Sequence, residues 1–214
     1  TNNSSIMVSG GDQTLTLICD SIYIGSGSGI YANEISTFQP FQGQDFAAVA
    51  GGGGGGGHGG HGGTGGGFNT AEGGGIHGDI WGELGSLSTG SIGGRASVVN
   101  FGSYVYGGNG GGLIRIIARA GVITGNIQAN GANGSSYYTF DSNSAYDHGG
   151  GGGGAGGHVR LDINDLTIIG DATITANGGD GGPPYEGYDG DNDTPGGGGG
   201  GGGGYVTIIT ESGI

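Results

Sequence analysis

Four runs of glycine set the limits on this chain's fold: Gly51–Gly57, Gly107–Gly112 broken only by Asn109, Gly149–Gly157 broken only by Ala155, and Gly196–Gly204. Glycine has no side chain to bury, so with 64 glycines among 214 residues an ordinary hydrophobic core is not expected. Collagen is excluded by a count of four prolines and by the absence of a G-X-Y period. Two conformations answer to such runs. One is a flexible linker, since ordering glycine costs about 1–2 kcal/mol per residue. The other is an extended screw with three residues per turn and about 3.1 Å per residue, packed beside its own kind through amide and Cα–H···O contacts. Three of the runs lead directly into equivalent apolar segments, at Leu113, His158 and Tyr205, which favours the second. A lone run would not stay ordered, whereas a bundle of them would.

Between the glycine runs one short phrase recurs. It reads Ile30-Tyr31-Ala32-Asn33, then Ile127-Gln128-Ala129-Asn130-Gly131, then Ile174-Thr175-Ala176-Asn177-Gly178. Apolar alternation precedes each copy: Leu15, Leu17 and Cys19 with Ile22-Tyr23-Ile24, then Ile114, Ile116 and Ala118 with Val122-Ile123, then Val159, Leu161 and Ile163 with Leu166-Thr167-Ile168. A period of two marks strands with one buried face, and no segment shows the apolar spacing of a helix. Repeats of this kind point to an all-β, parallel β-solenoid-like stack of short strands with glycine-rich, polyglycine II-like excursions and essentially no helix. Residues 1–214 read as a single repeat domain, with units starting near 15, 114 and 159 and an incomplete unit at 206. Residues 34–112 read as a long excursion that holds one degenerate unit around Arg95–Asn100. In each phrase Ile and Ala are expected to face the core. The Asn is expected to turn the corner in a left-handed conformation and to form an amide ladder with its equivalents. Cys19, the one cysteine, excludes an internal disulfide and is expected to be a core thiol.

The apolar strand, I-x-A-N-G-G and poly-Gly arrangement resembles repeats of large secreted bacterial proteins. The glycine runs are similar to the polyglycine II bundles of springtail antifreeze proteins and of a phage tail-fibre tip adhesin. The first resemblance implies secretion and carries no assigned activity. The second covers only the glycine runs, and the long polar inserts here depart from the antifreeze pattern.

The charge balance is −14, with Arg95, Arg115, Arg119 and Arg160 as the only strong cations. A basic patch for nucleic acid or for an anionic membrane is therefore missing, and no apolar run is long enough for a membrane span. A carbohydrate or Ca²⁺ is easier to accommodate. The absence of an initiator Met and of a signal-like segment leads us to expect a processed, exported form.

Candidate sites are few. Asp189, Asp191 and Asp193 alternate as Ca²⁺ ligands do, without the glycine and closing Glu of an EF-hand, so the cofactor expectation is none, with calcium the sole candidate. His58-Gly59-Gly60-His61 has metal-compatible spacing but no completing ligand. Asn2, Asn3, Asn133 and Asn192 occupy N-x-S/T glycosylation sequons. Tyr137, Tyr138, Phe140, Tyr185 and Tyr188 could stack on sugars or close the excursions over the bundle. Arg115, Arg119, Arg160 and Asp162 form an outward cluster that an Arg–Asp ladder between stacked strands explains. No nucleophile–base or paired-carboxylate motif is present, so no enzyme is expected. The expected function is a structural subunit of an extracellular or cell-surface filament or layer, polymerising head to tail by strand complementation. Ile6, Met7 and Val8 at one end and Tyr205, Val206 and Ile208 at the other are the expected polymerisation residues, and copies of the chain are the expected partners. The alternative is an adhesin that binds glycans or a receptor through its tyrosine-rich excursions.

Overall fold

A computed structural model describes residues 3–9, 13–37, 42–43, 51–67, 87–97, 104–136, 148–186 and 194–211. Within them the secondary structure is all strand. In chain order these are β1 (Ser5–Met7), β2 (Thr14–Ile24), β3 (Gly29–Tyr31), β4 (Ala96–Ser97), β5 (Tyr104–Val105), β6 (Leu113–Ile123), β7 (Asn126–Gln128), β8 (His158–Ile168), β9 (Thr173–Thr175) and β10 (Tyr205–Ile209). Two four-stranded parallel sheets form, a long-strand sheet ordered β10-β8-β6-β2 and a short-strand sheet ordered β1-β3-β7-β9. β4 and β5 make a separate antiparallel pair.

Register keeps equivalent residues in columns. Leu15, Ile114, Val159 and Val206 stand side by side across the long-strand sheet, as do Leu17, Ile116, Leu161 and Ile208. Ile6, Ile30, Ile127 and Ile174 do the same across the other. Strand pairing in this register puts the columns of Leu15 and Leu17 on one face, while Ile18, Ile117 and Ile209 share a column on the other; a slip of one residue would exchange the two faces. Ile114, Ile116, Val159, Leu161 and Ile163 thus meet Ile30, Ile127, Ala32 and Ala129 in one buried cluster. The two apolar runs read from each unit are one strand with a corner. Pairing passes over Asp20, Arg119 and Asn164, and the buried positions change from Ile114, Ile116 and Ala118 to Gly121 and Ile123.

The glycine runs form a bundle. Along residues 150–157 successive N–H groups donate to Gly196, Ser135, Gly94, Gly199, Ala132, Ser91, Gly202 and Ala129. The recipients rotate through three neighbouring segments and return to the first every third residue, as a chain with three residues per turn requires. Carbonyls of the same run accept, in the same rotation, from Gly53, Gly182 and Gly108 and then from Gly56, Gly179 and Gly111. Six segments therefore surround this one, and its backbone groups are satisfied without side chains. Segments after β7 and β9 run outward, and glycine runs return into β6, β8 and β10.

Several expectations need correction. Ile6-Met7-Val8, read as a first strand without a partner in its own chain, is paired: Ile6 stands beside Ile30 of β3, which makes β1 a member of the short-strand sheet. Residues 96–97 pair with 104–105 outside the main sheets, so the described part of Arg95–Asn100 is no layer of the stack, and Val98–Asn100 lie outside the described residues. Cys19 is exposed, although its neighbours in the column, Ala118 and Ile163, are buried: among the described residues β2 is the edge strand of its sheet. The corner asparagines do not take the left-handed conformation; among described non-glycine residues Glu34, next to Asn33, does, at φ 59°.

Candidate assembly interface

The two sheets are offset by one strand. Among the described residues, β1 lies beyond β3 at one end of the short-strand sheet with no long strand past β2, and β10 lies beyond β8 at the other end of the long-strand sheet with no short strand past β9. Each end of the described structure thus carries one strand with no counterpart in the other sheet.

Exposed apolar side chains gather at these two ends. On the first are Ile6, Met7 (72% exposed), Ile18 (76%) and Tyr23; on the second are Ile168, Ile169, Val206 (42%), Ile208 (44%) and Ile209. Leu87 and Tyr106 are the remaining exposed large apolar residues among those described. At the first end a cleft of about 540 Å³ opens between β1 and β2, lined by Ile6, Leu17, Ile22, Ile24 and Ile30 together with serines and glycines. Its apolar lining is the uncovered end of the core.

Of the residues expected at the ends, Ile6, Met7, Val206 and Ile208 are exposed there. Val8 packs against the core, and its N–H donates to the carbonyl of Tyr31. Tyr205 turns inward: its ring meets His58 edge-on at 5.0 Å and His158 at 5.6 Å, and its N–H donates to the carbonyl of Gly157. It anchors β10 to the glycine bundle.

The repeated asparagines form a ladder from side chain to backbone. Asn33 Oδ1 accepts from the N–H of Asn130, Asn130 Oδ1 from that of Asn177, and Asn133 Oδ1 from that of Asp180, each at 2.8 Å. The Asn133 sequon therefore lies on an exposed residue that already carries a structural bond. Asn3 is exposed beside Gly27, while Asn2 and Asn192 lie outside the described residues.

On the outer face of the long-strand sheet Asp162 accepts from Arg160 Nε at 2.8 Å and from Arg115 Nε at 2.9 Å. Burial pushes its carboxyl up, but the hydrogen bonds and charges of Arg160 and Arg115 outweigh this and hold it below the ordinary Asp value. Arg115 and Asp162 thus tie β6 to β8 as expected, with Arg160 joining from Asp162's own strand, whereas Arg119, expected in the same cluster, is exposed where the strand pairing is interrupted.

Both ring nitrogens of buried His58 are engaged. Nδ1 lies 2.7 Å from the Gly156 carbonyl, which can only accept, so Nδ1 carries the proton and Nε2 accepts from the Ser88 hydroxyl at 2.7 Å. The placement has a reason that the sequence alone did not reveal. Gly53 and Gly56 donate to Gly150 and Gly153. Gly156 is the next carbonyl in that series, but the chain bends at His58–Gly60, and the imidazole takes over the donation. A histidine at the end of the Gly51–Gly57 run was the available signal. Nothing remains on His58 for a metal, and His61 is exposed. Among the described residues no three His, Cys, Asp or Glu converge as metal ligands. Asp189, Asp191 and Asp193 lie outside the described residues, as do Tyr137, Tyr138, Phe140 and Tyr188. Tyr185 is described: it stacks on His148 at 6.1 Å and exchanges backbone hydrogen bonds with it at 2.9 Å.

Compared with known protein families, curated proteins and solved structures, the chain matches none of them.

Proposed function

We propose that this chain is a structural subunit of an extracellular filament or surface layer that polymerises head to tail by strand complementation. In this reading the two sheets are one stretch of a parallel β-solenoid, and the glycine segments are polyglycine II-like excursions that stiffen its flank. The observation that carries the reading is the one-strand offset between the sheets, with exposed apolar side chains on both terminal strands and, among the described residues, no strand paired to their outer edges. Open edges next to an uncovered core are templates for further pairing. Because the two faces are different surfaces, repeated pairing produces an open filament rather than a closed ring. Placement outside the cell rests on the likeness to secreted glycine-rich repeats. The reading assigns no catalysis, and the Arg115–Asp162–Arg160 cluster serves to tie strands together.

The adhesin alternative rests on Tyr137, Tyr138 and Tyr188, which lie outside the described residues, and on Tyr185, whose ring stacks on His148. Ile208→Lys tests the proposal. Ile208 is 44% exposed in the single subunit, so the variant keeps the strand content seen by circular dichroism yet stays dispersed under conditions where the wild type forms filaments in electron micrographs. Filaments of unchanged form from this variant would sink the idea.

A further inference from the structure

We infer, on the basis of the filament reading above, that the joint between subunits is one completed layer locked in a single register by two strand pairings at once: β10 of one copy lies along β2 of the next, and β1 of that next copy lies along β9 of the first. The columns within the subunit dictate the register. Val206 shares a column with Val159, Ile114 and Leu15, and Ile208 shares one with Leu161, Ile116 and Leu17. Continuing the stack therefore sets Val206 beside Leu15 and Ile208 beside Leu17 of the neighbouring copy, at the mouth of the apolar cleft. On the other sheet the same continuation sets Ile6 beside Ile174.

Alternatives fail for two separate reasons. A shift by one residue would turn Val206 and Ile208 outward and point Thr207 at the core. A shift by two would keep the alternation of β10 but would move Ile6 off Ile174, because the two sheets belong to the same rigid joint. A second copy is the fitting occupant, since among the described residues each end carries one strand with no counterpart in the other sheet, with the same strand direction and the same alternation.

Cys19 reports on this joint. It stands in the column of Ala118 and Ile163, which are buried, and it is exposed itself on β2, the edge strand among the described residues. One residue past β10, Thr210 follows Ile209, the partner of Asp162, and so continues the column of Ile163. In the joint Thr210 stands beside Cys19 of the next copy, about 4.8 Å away across a strand pair, within the range a disulfide spans.

The experiment uses full-length Thr210→Cys, with Ile209→Cys and Glu211→Cys as controls whose side chains point to the other side of the sheet. Each chain is assembled, treated with copper phenanthroline as oxidant and run on a non-reducing gel. The expected result is a ladder of covalent multimers from Thr210→Cys, little from either control, and loss of maleimide labelling of wild-type Cys19 on assembly. Filaments that give the ladder with Ile209→Cys or Glu211→Cys, or with none of the three, overturn the register while leaving the filament reading intact. A wild-type chain that forms no filaments removes both.

Discussion

A methyl group added at Gly152 would overlap the carbonyl oxygen of Gly54, whereas one added at Gly203 would meet nothing within 4 Å. Both residues lie in glycine runs that the sequence presents as uniform, yet their tolerance differs because one run is enclosed on all sides and the other is partly exposed. Gly152→Ala must push two segments apart and break their hydrogen bonds, at an expected cost of about 3 kcal/mol or more. Gly203→Ala only restricts the unfolded chain, so it is expected to be neutral or stabilising by about 0.4–1 kcal/mol. Thermal unfolding of the two variants checks this, and equal melting temperatures would contradict the enclosed bundle. Ala155 fits the same logic: it is the one alanine within the central run, three residues beyond Gly152 and so facing the place where the neighbouring segment bends away at His58.

At the level of elements, the glycine segments are bounded by buried histidines: His58 ends one run, and His148 and His158 bracket another. Burial lowers the pKa of His58, with the Gly156 and Gly157 carbonyls offsetting part of the effect, and burial alone lowers that of His148. The unfolded chain then binds more protons than the folded one near and below the ordinary histidine value of about 6.5. Stability is therefore full above that value and is lost as pH falls through it toward the depressed folded values. Melting temperature is expected to drop between pH 7.5 and 5, and a His58→Gln, His148→Gln double variant should show a flatter profile over that range. An unchanged slope in the double variant would refute the assignment. Asp162 acts in a separate, more acidic window: its carboxyl is held below the ordinary value, so its contribution is present above that value and is lost as pH falls through the folded one.

For the whole molecule, each sheet contributes four strands to the stack, and the joint adds none beyond them. A filament built this way advances by about 19 Å per subunit, four strand spacings of roughly 4.8 Å. Fibre diffraction should show a 4.8 Å reflection along the filament axis and an axial repeat of that length. Strands lying along the axis would contradict the assembly.

The sequence by itself determined the apolar columns of the long strands and marked the asparagines as a repeated feature, but not the backbone conformation of those asparagines or their side-chain-to-backbone bonding. Alternation over Leu15–Cys19, Ile114–Ala118 and Val159–Ile163 gave the buried face, and spacings of 45 and 47 residues between Ile114, Val159 and Val206 are the registers in the long-strand sheet. These were legible because apolar periodicity is local. Tertiary structure alone decided which positions are enclosed, how His58 replaces a peptide donor, and that the two sheets are offset by one strand. Ile6-Met7-Val8 shows why: nothing within that segment says which strand it joins, and its place beside β3 follows only once the other three short strands are stacked. Cys19 makes the same point from the opposite side, since its alternation is that of a core residue and its exposure depends on whether a strand lies beyond β2.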